Sequence, residues 1–543
     1  MSGLPGPAMP ELRPAVRAVN LAELLSQTAR RLPGHDAVVH GADRITWREL
    51  DRRADAVAAE LRARGVGRGD PVLVDAPNQV GLIAAMFGVW RAGGVFAPVN
   101  HRLTPPETAD LAELVAPAAL ICHGSHTGHA EAVRAAAAPR AGVLWIDAPP
   151  GEGPDLAALP RPADPEPNEP VRTGDHAWYF FTSGTSGRSK AAVLTHDQMG
   201  FVVTNHLCDL LPGTDHTDAQ VVVAPLSHGA GVHLLPLVAR GATTVLPTSA
   251  SLDPAEVWRL VETERVSSMF TVPTILKRLA EAPEAARHDL GSLRHVIYAG
   301  APMYRADADR ARAVLGEVLV QYYGLGEVTG NITVLPPGEH DRPVPDGLQF
   351  GSCGRPRTGI QISVQDDDGR ELPAGEQGEI CVAGPAVFAG YLNNERANAE
   401  SFRDGWFRTG DLGLVDAAGY LYVTGRASDM YISGGSNIHP REIEEKLLQH
   451  PAIDEVAVLG MPDPQWGEIG VAVYVAAAGH DEAGEVELRD WLAGRMARYK
   501  IPKRFVRWET IPKSGYGKIV KRTIREQLEP APAPAGVPGP GIP

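Results

Sequence analysis

Nine consecutive residues, Thr182-Ser183-Gly184-Thr185-Ser186-Gly187-Arg188-Ser189-Lys190, combine five hydroxyl side chains, two glycines and two cations. Glycine lets the backbone take positive φ and approach a ligand closely, so successive N–H groups can face an anion. The hydroxyls add donors for phosphate oxygens, and Arg188 and Lys190 add positive charge. The aromatic run Tyr179-Phe180-Phe181 before the loop is strand-like, and Thr195-His196-Asp197 after it reads as the start of a helix. The spacing Gly184-x-x-Gly187-x-x-Lys190 is not that of the common P-loop, GxxxxGK[ST]. Read alone, the stretch has a second interpretation as a flexible Ser/Gly linker. Its place between a β-rich run and a helix start favours the phosphate cradle.

A cradle needs elements to hold it. Apolar residues recur at helical spacing over 21–31, and Thr46 with Glu49 in capping-box position opens a longer helix that runs to about 64. Strands are expected at 71–74 and 95–99 around a helix at 81–92, with further strands at 120–122 and 143–146. Such alternation implies parallel sheet covered by helices. Residues 152–170 read as an exposed Pro- and acid-rich connector. Beyond the loop come strands at 220–224, 243–246, 266–272, 295–298 and 319–323, with helices at 199–208, 232–239, 273–280 and 306–315. Several small-residue loops follow these strands, among them 225–231, 299–302 and 324–327, and in open α/β sheets ligands bind beyond the carboxyl ends of the strands. From residue 359 short strands alternate with turns as a small β-rich unit. After a break at 425–429, helices at 440–450 and 486–498 and strands at 455–460 and 471–475 suffice for a compact α+β domain.

The whole chain bounds the reading. A length of 543 residues exceeds what one hydrophobic core covers, so several subdomains are expected. With 44% hydrophobic and 22% charged residues it reads as a globular enzyme, and a net charge of −15 argues against a nucleic-acid partner. Cys122, Cys208, Cys353 and Cys381 lack CxxC spacing and read as reduced thiols rather than a disulfide or zinc framework. No secretory signal and no membrane-length apolar run is visible, so a cytoplasmic protein without a membrane span is expected. The expected fold class is α/β: a large N-terminal domain (19–427) of stacked α/β subdomains plus a small β-rich subdomain, and a small mobile α+β C-terminal domain (428–528). A flexible leader (1–18) and a disordered Pro-rich tail (529–543) flank them.

Five stretches in order, 182–190, 323–327, Trp406-Phe407-Arg408-Thr409-Gly410-Asp411, 425–440 and Pro512-Lys513-Ser514-Gly515-Tyr516-Gly517-Lys518, resemble the adenylate-forming superfamily of acyl-CoA synthetases, aryl-CoA ligases, luciferases and nonribosomal adenylation domains. The resemblance spans the chain from about residue 20 to residue 525. It implies ATP as substrate, with the loop around Thr182, Ser183, Gly184, Thr185, Ser186, Gly187 and Lys190 holding its phosphates. It implies further that Glu327 holds Mg²⁺, a hard cation suited to carboxylate oxygen, and that Tyr323, in one turn with Gly324, stacks on adenine. Asp411 matches the aspartate that accepts from the ribose hydroxyls, and Arg426 the nearby arginine. Lys518 matches the lysine that stabilises charge where carboxylate meets phosphate, and His228 a position beside the acyl carboxylate. Each has a plainer alternative: a solvated Glu327 or Lys518, a core Tyr323, turn or ion-pair roles for Asp411 and Arg426, a structural His228. Three departures stand out. Ser428 replaces the family's charged hinge residue, Gly326 its threonine, and Ser189 and Ala191 the Pro and Gly flanking the lysine.

The segment 432–440 resembles the CoA-ligase version, in which Gly434 and Gly435 line a tunnel for the pantetheine arm, so CoA is the expected acceptor. An amine, giving an amide directly, and an acyl-carrier protein are the alternatives. The resemblance places the acid among Phe201, Gly229, Ala299, Gly300, Ala301 and Leu325. These mostly small, uncharged positions favour a flat aryl or modest alkyl acid, and no Asp marks an ammonium site. A non-catalytic nucleotide sensor is the competing class, and a monomer or homodimer is expected.

Overall fold

A helix without a polar face, from the N-terminal part of the chain, lies in the largest apolar cluster. In Val80–Ala92 every residue except Gly81 is buried, which is how a helix apolar all round must sit. It packs against Trp47–Ala63 in one large apolar cluster that also takes in Ala22–Arg31, His196–Asp209 and Gly229–Arg240. The computed structural model describes residues 16–528 except 184–188, 302, 304, 345–347, 349–350, 427–428, 434–435, 465, 481–482, 494, 497 and 515–517. The hinge position Ser428, the tunnel glycines Gly434 and Gly435, and Gly184, Thr185, Ser186 and Gly187 therefore lie outside the described residues.

Two sheets flank this helical layer. Among the described residues the first runs Ser189–Thr195, His176–Ser183, Val95–Val99, Pro71–Asp75, Ala119–His123, Val143–Ile146, parallel except at the Ser189–Thr195 edge. The second runs Leu319–Gln321, His295–Tyr298, Ser268–Thr271, Ala219–Val222, Thr243–Leu246, Asp36–His40, Asp43–Thr46, parallel except at its last strand. A third, antiparallel sheet is built from Gln361–Gln365, Gly378–Ala383, Phe402–Arg403, Trp406–Val415 and Leu421–Arg426. The last sheet, centred on Ile453–Asp463 and Gly467–Ala476, packs on Pro440–Leu447 and Glu485–Ala493. The mixed α/β architecture and the smaller α+β unit near the C-terminus are as the sequence predicts.

Several expectations need correcting. The run Ser189–Thr195 between the loop and the helix is a strand, pairing antiparallel with His176–Ser183, Ser189 opposite Ser183, which the sequence analysis did not assign. The helix then starts at His196, where it was expected, with Thr195 and Gln198 forming the capping box. Glu49 does not close a capping box either. Thr46 accepts the Glu49 N–H, but the Glu49 carboxylate turns to Arg53 at 2.9 Å. The end of the leader is ordered, because Arg17–Ala18 pairs with Val171–Arg172. The 152–170 connector is strapped down by Asn168, whose side chain meets Arg91 and Glu23. Helices Pro105–Val115, Thr127–Ala137 and Pro254–Thr263 were not anticipated, although the first carries the full Thr104/Glu107 capping box and a proline in its first turn. No described helix is long and apolar enough to cross a membrane.

One buried charge ties the helical layer together. The Arg91 guanidinium, 1% exposed, meets Asp51 and Asp55 of the neighbouring helix and donates to Ser26 Oγ at 2.8 Å. Removing one partner of a buried ion network leaves the other charges uncompensated. Arg91→Met is expected to cost on the order of 3 kcal/mol of stability, read as urea unfolding at lower concentration. A shift equivalent to less than about 1 kcal/mol, the worth of a surface pair, would count against this account.

Candidate active site

The parallel strands of the second sheet end on one edge, and the loops beyond them bring together residues distant in sequence. Ala219–Val222 leads to His228, Ser268–Thr271 to Val272, His295–Tyr298 to Ala299 and Gly300, and Leu319–Gln321 to Tyr323 and Gly324. The aromatic strand His176–Ser183 of the first sheet reaches the same place: the Phe180 ring lies 4.2 Å, centroid to centroid, from that of His228. Gly300 takes φ +87°, a left-handed conformation natural to glycine, and a Cβ on it would lie 3.7 Å from Cε of Lys518. The lysine of the C-terminal unit thus reaches across to the N-terminal strand loops.

The third sheet supplies the acceptor side. Asp411 and Arg426 face each other in register on neighbouring strands, with Arg426 Nε 3.1 Å from Asp411 Oδ1. The Tyr323 hydroxyl donates to Asp411 Oδ2 at 2.6 Å. Burial pushes the Asp411 carboxyl above its ordinary value, against the pull of Arg426 and Tyr323. Lys518 counts as exposed along its length, yet its ammonium end is enclosed. That enclosure and Arg426 draw its pKa below the usual lysine value, while Asp411 and Glu327 pull the other way. Burial and the Lys518 charge hold the His228 imidazole down to about 3, so it is neutral at physiological pH and offers one N–H and one lone pair.

Glu327, 7% exposed, accepts a hydrogen bond from the Tyr391 hydroxyl at 2.8 Å, and the Lys190 ammonium lies 4.6 Å from the centroid of the Tyr391 ring. Tyr391 therefore couples the strand after the glycine–hydroxyl loop to Glu327. It was missed at the level of sequence. Its only local mark is the pair Gly390-Tyr391, and its placement comes from a bridge to Ala192 some two hundred positions away. Gly326 has a packing reason. A Cβ there would sit 2.6 Å from Cδ1 of Phe180 and 3.1 Å from Cγ2 of Thr182, so a bulky aromatic on the strand matches the missing side chain on the loop.

Among the residues that the resemblance places around the acid, Ala299 is buried, Gly229 lies against the Phe270 ring and the Phe201 ring lies against Gly359. Ala301 is half-buried, and Leu325 packs on the central apolar cluster. Behind Phe270 lies a polar cluster outside the positions the sequence assigns to the acid. His233 stacks on Phe270 at 4.2 Å, His206 meets His233 edge-on at 4.6 Å, and the 1%-exposed Arg357 lies beside His206. Burial draws the Arg357 guanidinium down to about 9, against the pull of Asp209. Nothing in the local sequence marks this cluster, which forms only where a helix of the first half meets a loop of the second.

Polar contacts hold the C-terminal unit in this orientation, among them Arg441 Nη1 donating to the Val423 carbonyl at 2.5 Å. Lys277 of the helix Pro273–Glu281 pairs with the Asp454 carboxylate, and Gln377 Nε2 lies 3.1 Å from His439 Nε2. Residues from three sheets, approached by a lysine of the C-terminal unit, make up the candidate site of this α/β chain. A family model described as AMP-binding enzyme matches residues 25–392, and one described as AMP-binding enzyme C-terminal domain matches residues 442–518. Feruloyl-CoA synthase of Amycolatopsis sp is 39% identical over 504 residues, 92% of this chain and 97% of the relative. Among solved structures, ATP-bound MatB from Rhodopseudomonas palustris is similar with a TM-score of 0.82 at 29% identity, over 93% of this chain and 98% of that one. The amide bond synthetase McbA from Marinactinospora thermotolerans is similar with a TM-score of 0.84 at 28% identity, over 94% and 99%. The chain belongs to the AMP-binding enzyme family of adenylate-forming ligases.

The Phe180–Gly326 fit is testable. Gly326→Thr is expected to lower acid-dependent ATP–pyrophosphate exchange roughly ten-fold or more, because over-packing costs about 1–3 kcal/mol. Adding Phe180→Val should restore part of the loss. Full activity and stability in the single variant would show that the two positions are not matched.

Proposed function

We propose that this enzyme activates an aryl or alkyl carboxylic acid as its acyl-adenylate, releasing pyrophosphate, and then passes the acyl group to the thiol of CoA. The observation that carries this reading is the convergence of Lys518, Asp411, Glu327 and a neutral His228 from four separate parts of the fold. In the first step a carboxylate oxygen of the acid bonds to the α-phosphorus of ATP and the bond to pyrophosphate breaks. Two anions must approach, so the site has to supply positive charge and donors that are preorganised. Lys518 supplies the charge, and His228 can offer an N–H without adding or losing a proton near pH 7. Asp411, an acceptor held by Tyr323 and Arg426, suits the ribose hydroxyls, and the Tyr323 ring suits the adenine face. Lys190 and the hydroxyl loop serve the β- and γ-phosphates.

The donor set fits Mg²⁺. Glu327 is a buried carboxylate with one oxygen on the Tyr391 hydroxyl and a second to offer a hard cation. Bound there, the ion would neutralise phosphate charge as the bond to pyrophosphate breaks.

In the second step the CoA sulfur attacks the acyl carbon and AMP leaves. Lys518 occupies the first-step position, so the C-terminal unit, which we take as residues 428–528, must turn about Ser428 to admit the thiol and bring Gly434 and Gly435 to the tunnel. The feruloyl-CoA synthase similarity supports an aryl acid and CoA, and a cytoplasmic setting, where CoA and ATP are available. The likeness to an amide bond synthetase keeps an amine acceptor as the second reading.

Pyrophosphate release across a panel of organic acids, followed by mass spectrometry after adding CoA, amino acids or a phosphopantetheinylated carrier protein, tests both steps. Acyl-CoA is the expected product; an amide or an acyl-carrier product would reassign the acceptor, and no adenylate from any acid would defeat the reading altogether. Lys518→Ala should cut adenylate formation by roughly a hundred- to a thousand-fold while sparing thiol transfer from supplied acyl-AMP. Equal loss of both steps would refute its role. Lys277→Ala, which unlatches the first-step orientation, should slow adenylation several-fold and leave transfer from supplied acyl-AMP intact; unchanged adenylation would mean the latch is not used.

A further inference from the structure

The carboxyl edge of the first sheet holds a second polar cluster, away from the groups assigned above. Asp75 ends the strand Pro71–Asp75 and is wholly buried, at 0% exposed. His126 closes the turn Gly124–His126, and His129 lies in the first turn of the helix Thr127–Ala137. His126 Nδ1 is 3.1 Å from Asp75 Oδ1, and His129 Nδ1 is 2.7 Å from Oδ2. Apart from this His129 contact Oδ2 has no polar partner among the described residues, and His129 Nδ1 also lies 3.1 Å from Thr108 Oγ1.

A buried carboxylate oxygen short of donors is costly. Here it opens towards two imidazoles whose rings stack at 5.0 Å with 22° between their planes. One nitrogen from each ring and a carboxylate oxygen lie within 4.8 Å of one another. His101 stacks on His126 at 6.3 Å and 4°. His123 is engaged elsewhere, by Ser125 at 2.6 Å and Asp147 at 3.2 Å, and is not needed as a ligand. The Cys122 thiol points to the carbonyls of His123 and His126 and is likewise outside the set.

We propose that Asp75, His126 and His129 form a binding site for a divalent transition-metal ion of the zinc class. Two imidazole ligands and one carboxylate would set a single negative charge against a double positive one, and the ion would sit where Oδ2 and the two ring nitrogens converge. Imidazole-rich sets select zinc, nickel or copper over magnesium and calcium, which prefer oxygen. This separates the site from the Glu327 position by chemistry as well as by place. The ion would staple the start of the helix Thr127–Ala137 to the end of the strand Pro71–Asp75, so its role is structural. The local signature is His123-x-x-His126-x-x-His129, and the carboxylate arrives from a strand about fifty residues earlier.

Full-length, tag-free protein stripped with EDTA and titrated with zinc chloride in excess Mg²⁺ tests the proposal. About one equivalent should bind with a Kd near micromolar or tighter, the thermal midpoint should rise, and Co²⁺ in place of zinc should give visible d–d absorption. The paired variant His126→Gln/His129→Gln should lose the site while keeping the wild-type circular dichroism, and His123→Ala should retain it. Asp75→Asn should weaken binding roughly ten- to a hundred-fold. Failure of the wild type to take up zinc, or equal uptake by the paired variant or by Asp75→Asn, overturns the assignment. If the paired variant does not fold, loss of the cobalt spectrum in either single variant decides the matter in the same sense.

Discussion

Two carboxylates, Asp411 and Glu327, are kept almost entirely out of water, 6% and 7% exposed, at the junction of three sheets. An ionised carboxylate in such a place is tolerable only when charge and donors are arranged around it. The surroundings answer that demand: Arg426 and the Tyr323 hydroxyl at Asp411, the Tyr391 hydroxyl at Glu327, and the charge of Lys518, which both carboxylates feel. The second sheet turns its loops to this point, the third lends a strand pair, and the C-terminal unit extends a side chain into it. Enclosure and charge together tune the groups: the same burial that raises Asp411 lowers Lys518 and His228.

Steric fit is the second constraint. The approach of the Phe180 strand to the Gly326 turn leaves no room for a side chain on the turn, and a Cβ on Gly324 would sit 2.4 Å from the backbone of Gly330. Small residues here are the condition for bringing the aromatic strand His176–Ser183 close to the turn that carries Glu327. The Gly326 departure from the family pattern is thus a change of packing partner and leaves every charged group of the site in place.

A rigid platform and a docked unit divide the labour. The platform is held by the apolar helix Val80–Ala92 and by the buried Arg91 network, which fix the helices to one another irrespective of any ligand. The C-terminal unit is held by polar contacts such as Lys277–Asp454, which a modest rearrangement can exchange. Its own core, around Val456, Val458, Ala472 and Tyr474, lets it keep its shape whatever its orientation.

The sequence by itself determined the parallel α/β body, because strand–helix alternation and helix period are local patterns: the strand at 95–99, for instance, and the helix opened by Thr46 lie where periodicity and capping chemistry put them. It also marked Asp411, Glu327 and Lys518 as candidates, because each sits in a short recognisable run. Tertiary structure alone decided what depends on pairing between distant segments. The hairpin partner of the strand ending at Ser183 is written in no local period, since an apolar run before a helix can be a strand or a helix start. Tyr391 meets Glu327 only because a strand bridge carries it there, Arg357 meets His206 only where two halves of the chain close, and Asp75 meets His126 and His129 only through the order of strands in a sheet. Local propensity sets the elements. The burial of one element against another sets which side chains meet, and that has no signature in any single stretch.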